Sequence, residues 1–106
     1  MKSLLLAATF VLLPGVALAD HGGAKAERAA MEAHHKMMAA MNVKPTGNAD
    51  KDFVLMMIPH HQGAIDMAKI QLDFGHDPAI RALAQGIIAA QEKEIGEMQE
   101  WLKANP

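Results

Sequence analysis

The sequence predicts an all-α fold: a short N-terminal helix followed by a long antiparallel helical hairpin. Three observations predict it. Long stretches rich in Ala, Glu, Lys, Gln and Met carry apolar residues at helical spacing, and none shows the alternation of a strand. Two clusters of turn and capping residues, at 44–48 and 75–78, divide the chain where helices must stop and start. The composition contains no cysteine, so in this small chain metal binding or self-association can supply the stability that disulfides do not.

Residues 1–19 stand apart. Lys2 gives a positive start, Leu4 to Leu13 an apolar run, and Ala17-Leu18-Ala19 a small-x-small cleavage pattern. This is the pattern of a secretory signal peptide, and the apolar run is too short to span a bilayer. The expectation is export to the periplasm, with residues 20–106 forming one helical metal-binding domain. That domain keeps nine of the ten Lys and Arg and all twelve Asp and Glu, a formal charge of −3. A mildly acidic chain without a basic patch argues against nucleic acid as a partner. No second long apolar segment follows, so no membrane association is expected after cleavage.

The first helix is placed at 24–42, where good helix formers run without Gly or Pro. Lys44-Pro45-Thr46-Gly47-Asn48 is a turn. The second helix is placed at 49–74, capped by Asn48 or Asp50 and stopped by Gly75. Pro59 falls inside it, removing one N–H and freeing the carbonyl of Leu55, which predicts a kink that re-aims nearby side chains. Asp77-Pro78 is a cap followed by proline at the first helical position, opening the third helix at 78–103.

At about 100° per residue, the second helix gathers Phe53, Met56, His60, Ala64, Met67 and Phe74 into one stripe. Lys51, Gln62, Asp66, Lys69 and Asp73 fall opposite. This puts His60 on an inward face and His61 at its edge. The first helix repeats the arrangement, with Ala30, Met31, His34, Met37, Met38 and Met41 in a stripe and His35 at its edge. On the third, Ile80, Leu83, Ile87, Met98, Trp101 and Leu102 form an apolar face, with Gln91 and Glu94 in its middle.

Eight of the nine methionines and all six histidines lie beyond residue 19. A methionine stripe at helical spacing is ordinarily core filling, and a lone histidine on an apolar face is ordinarily a satisfied core residue. Here two His-His pairs, His34-His35 and His60-His61, each sit in a methionine-rich turn. Met31 and His35, Met56 and His60, and Met57 and His61 are each four residues apart and so project from neighbouring turns. Thioether sulfur is a soft ligand for Cu(I), and imidazole also serves Cu(II); zinc sites normally use Cys, His and carboxylate. The pattern therefore points to copper. Glu94, a carboxylate amid an apolar stripe, requires a partner. It either pairs with Lys93 or Lys69, or faces His60 or His34 across the hairpin, orienting an imidazole or ligating metal itself. Asp20-His21, as a new N-terminus, offers an amine and an imidazole to Cu(II).

"MMIPHHQGAIDMAKIQL" followed by "DPAIRALAQGIIAAQEKEIGEMQEWL" resembles the CopM-like family of ferritin-like domains of unknown function (DUF 305), over roughly residues 49–103. The resemblance implies an exported, bundle-type helical domain that binds copper through Met and His in copper homeostasis or tolerance. Carried over by position, it points to Met56, Met57, His60, His61, Met67 and Met98, with Gln91 and Glu94 as companions. His34, His35 and Met38 enter the candidate set by the spacing argument. The chain is short for a four-helix bundle, so its core closes either alone or in a homodimer. Two other functions compete with copper buffering, storage or carriage by a non-enzyme. A ferritin-like di-metal oxidoreductase needs inward Glu-x-x-His pairs, and only Glu32 to His35 offers that spacing. A metal-free interaction module would use the methionine faces as adaptable contacts.

Overall fold

The computed structural model describes residues 22–106. Three helices follow in order: α1 Gly23–Met41, α2 Ala49–Phe74 and α3 Pro78–Ala104. The expected boundaries hold to within one residue at every end. The signal peptide expected at 1–19 and the Asp20-His21 terminus lie outside the described residues.

Local chemistry explains each boundary. Gly22 precedes α1 with φ +86° and no side-chain cap. It also lies against the Phe74 ring, where a Cβ would overlap the aromatic carbons, so only glycine joins the start of α1 to the end of α2. The Asn48 side chain accepts from Lys51 N at 3.1 Å and caps α2. Before it, Asp52 Oδ1 accepts from both Thr46 Oγ1 (2.6 Å) and Thr46 N (2.8 Å). These bonds, the hydroxyl first, hold the Asp52 carboxyl below its ordinary value of 3.8. Asp77 caps α3 through Ile80 N at 2.9 Å, with Pro78 at the first helical position. Helix α2 continues through Pro59 without interruption, absorbing the lost hydrogen bond within one helix.

α2 is the middle of the assembly. It packs against α1 on one side and α3 on the other, and among the described residues α1 and α3 do not meet. The helices thus form a layer in which only α2 has two neighbours. Small residues allow the close approaches. Gly63 faces Met37, whose Cγ would sit 2.7 Å from any added Cβ. Ala33, Ala68 and Ala84 are buried, joined only by Val54 and Ile65 among larger apolar residues. Arg81 locks the hairpin, donating from Nη1 to the carbonyls of Leu72 (2.6 Å) and Gly75 (3.0 Å) at the end of α2. Lys36 reaches Asp66 at 3.8 Å on the polar edge between α1 and α2.

The layer corrects the expected inward faces. The α2 stripe of Phe53, Met56, His60 and Met67 is exposed, with Phe53 at 61%. So are Met31, His34 and Met38 of α1, and Ile80 and Leu83 of α3, the last at 58%. The surfaces that actually meet are lined by alanine, glycine and a few β-branched residues. Much of each stripe is thus exposed, while Met37 and Glu94 turn into the seams.

Arg81→Ala strips a charged donor from two carbonyls and is expected to lower unfolding stability by about 1–3 kcal/mol in urea titrations. Gly63→Val is expected to displace Met37 and undock α1, seen as faster amide exchange confined to α1. Because the Asp52 pKa is depressed, its stabilisation is present above the carboxylate range and lost as pH falls through the lowered value. Thr46→Ala should therefore flatten the acid limb of the stability curve; an unchanged limb would exclude this role.

Candidate metal centre

Among the described residues, the α2–α3 seam contains one polar contact between side chains. His61, on α2, touches Glu94 Oε2 of α3 through its Nε2. Only 14% of the His61 side chain is exposed, against 52% for Glu94. The neighbouring acids and bases leave Glu94 to the imidazole: Lys93 pairs with Glu97 at 2.5 Å, which holds the Lys93 ammonium above its ordinary value. Glu94 thus meets neither of the expected lysines nor His60 or His34, but His61.

The pairing decides the state of the ring. An ionised carboxylate only accepts hydrogen bonds, so in the neutral ring Nε2 carries the proton and Nδ1 keeps a lone pair. His61 Nδ1 is buried and has no hydrogen-bond partner. A buried polar atom without a partner is costly, and a histidine whose outer nitrogen is held by a carboxylate is the usual posture of a metal ligand. Met57 stands one turn earlier on the same helix, half-buried, and brings a soft sulfur to the same edge of α2. This imidazole and thioether are the donor types that suit copper.

The ten candidate residues do not converge on one point. His60, exposed, occupies the open face of α2 with Met56 and Met67; its ring centroid is 6.1 Å from that of His61, the planes tilted by 60°. His34 and Met38 are exposed on the same side of the layer, from α1. His35 lines a groove on the outer surface of α1 with Met31, Glu32 and Lys36, away from α2. Met67 lies between Ile80 and Leu83 near the hairpin turn. Met98 lies with Phe53 and Trp101 toward the other end. Phe53 and Met67 are fourteen residues apart on α2, about 21 Å along the axis, so Met67 and Met98 cannot share an ion. Among the described residues no three His, Asp or Glu side chains gather closely enough to hold a metal by themselves, so a site at His61 depends on sulfur. Sequence reasoning missed Arg81; its signal was a lone arginine three residues after the Asp77-Pro78 start, within reach of the preceding helix end.

Fold and site together define a small all-α protein in which a carboxylate-held histidine lies between two helices beside a methionine-rich surface. The chain belongs to the family described as a domain of unknown function, DUF305, whose profile matches residues 12–102. It is similar to the uncharacterized protein L153 of Acanthamoeba polyphaga mimivirus, 45% identical over 53 residues, which are 50% of this chain and 35% of that relative. The chain thus spans about a third of the relative's length. No helix among the described residues is long and apolar enough to cross a membrane.

Nitrogen-15 NMR of the His61 ring is expected to show Nε2 protonated and Nδ1 bare, and Glu94→Ala should abolish that bias. A ring protonated at Nδ1 in the metal-free protein would contradict the assignment.

Proposed function

We propose that the protein is exported and binds copper through histidine and methionine, buffering, storing or carrying the ion rather than performing catalysis. The observation that carries the reading is the His61 ring: Nε2 engaged by Glu94, Nδ1 buried without a partner. Glu94 fixes the tautomer and raises the basicity of the free nitrogen. Met57 supplies a thioether from the next turn, and the absence of cysteine leaves methionine as the soft donor. Thioether beside imidazole favours copper over zinc, and thioether favours the Cu(I) state in particular. Met56 and His60, one turn apart on the open face, form a second pair of the same two donors. The signal-peptide pattern at 1–19 supports export, to a compartment where copper is handled without thiols.

The competing di-metal oxidoreductase asks for several inward carboxylates. Glu32, the one glutamate with the required spacing to a histidine, is exposed on the outer surface of α1 beside His35. That geometry favours the copper-binding reading.

Competition titrations with a chromogenic Cu(I) chelator test the proposal. The full chain is expected to withdraw Cu(I), and Glu94→Gln to weaken binding by about 10–100-fold, the usual effect of losing the group that orients a ligand. His61→Ala and Met57→Leu should weaken it further while leaving helicity unchanged. A His61→Ala protein that competes for Cu(I) as well as the parent sinks the site.

A further inference from the structure

We propose that the open face of the layer is covered by a second copy of this chain, forming a two-fold dimer whose axis passes beside His60.

Among the described residues, six of the seven large apolar side chains that stand exposed share this face: Met38 of α1, Phe53, Met56 and Met67 of α2, and Ile80 and Leu83 of α3; Met31 lines the outer groove of α1 instead. Two contacts establish the common side. Lys36 reaches Asp66 on the polar edge of α2, so the edge of α1 that carries His34 and Met38, a half-turn round that helix, falls toward Met56 and His60. On the other flank, a groove of about 220 Å³ joins Met67 and Ala64 to Ile80 and Leu83. The α2 arc at the centre, from Phe53 through His60 to Gln71, carries no Asp, Glu, Lys or Arg, whereas the opposite arc carries Lys51, Asp66, Lys69 and Asp73. Monomers rarely leave so continuous an apolar patch in water.

Size and pattern identify the occupant as another copy. Three helices at about 8–10 Å spacing and the 26 residues of α2, at about 1.5 Å each, give a face of roughly 1,000 Å². A stable interface needs about 800 Å² per partner. The α2 stripe also matches itself when reversed. Phe53, His60 and Met67 are spaced by seven, the repeat of helices that pack along a seam, with Met56 four before His60 and Ala64 four after it. His60 lies within one turn of the midpoint of α2. An antiparallel α2 pair centred there sets Phe53 against the second copy's Met67 and Met56 against its Ala64, large against small. The two contacts repeat by symmetry, as an isologous interface requires. The same axis brings two His60 rings together, each with its own Met56 one turn away, a pair of imidazoles that neither copy holds alone. That last step rests on the copper reading; the interface itself does not.

The chain has no cysteine, so single cysteines report proximity cleanly. In metal-free buffer with chelator, the protein is expected to sediment at twice the mass of one chain. His60→Cys should cross-link rapidly on mild oxidation, and Lys69→Cys, on the opposite arc, should not. Mixed Met56→Cys and Ala64→Cys chains should form a heterodisulfide. Phe53→Glu with Leu83→Glu, both at exposed positions, should weaken association by about tenfold or more while keeping the helical circular dichroism. A monomer at all concentrations, or equal cross-linking at positions 60 and 69, overturns the dimer, even where that monomer binds Cu(I). Cu(I) should tighten the parent dimer and not His60→Ala. A metal-free dimer indifferent to Cu(I) overturns the shared histidine pair and leaves the interface standing. A dimer that binds no Cu(I) overturns the copper reading alone.

Discussion

Everything in this molecule depends on how the circumference of α2 is divided. One arc holds Gly63 and receives Met37 of α1; a second holds Ala68 and Val54 and receives Ala84 and Met98 of α3. Small side chains at these arcs let the helix axes approach, and the two flanking helices then stand too far apart to touch. The remaining circumference is split into a charged arc and an apolar one. A larger residue at Gly63 would change this division at its narrowest point.

The seam with α3 also sets the chemistry. A histidine taken out of water needs a partner for each nitrogen. Glu94 serves one, and the fold provides none for the other. The same residues in an open helix would be solvated, and neither tautomer would be fixed. Burial turns an ordinary imidazole into a directed lone pair, while Met57 keeps the surroundings soft rather than hard. The core is thin: among the described residues only two buried apolar residues exceed alanine in size.

The fold was legible because helix ends are written in local chemistry. Asn48, Gly75 and Asp77-Pro78 act within their own turn, and no distant contact is needed to read them. The faces were less legible. Periodicity finds an apolar stripe but not what covers it, and here the seams are lined by alanines that carry little hydrophobic signal. The consequence fell on adjacent histidines: a rotation of about 100° per residue separates them, so mistaking the covered arc exchanged His60 for His61. Glu94 was recognisable as a carboxylate in need of a partner, because its apolar neighbours made it anomalous. Which imidazole it meets depends on the register of α3 against α2, and that is fixed by Arg81 and the hairpin turn rather than by any residue near the site.

X-ray absorption spectroscopy of the Cu(I)-loaded protein distinguishes a His–Met site from any other. The copper is expected to have both nitrogen and sulfur neighbours, with the nitrogen component reduced in His61→Ala and the sulfur component reduced in Met57→Leu. Neighbours of nitrogen and oxygen alone, unchanged by either substitution, would contradict that site.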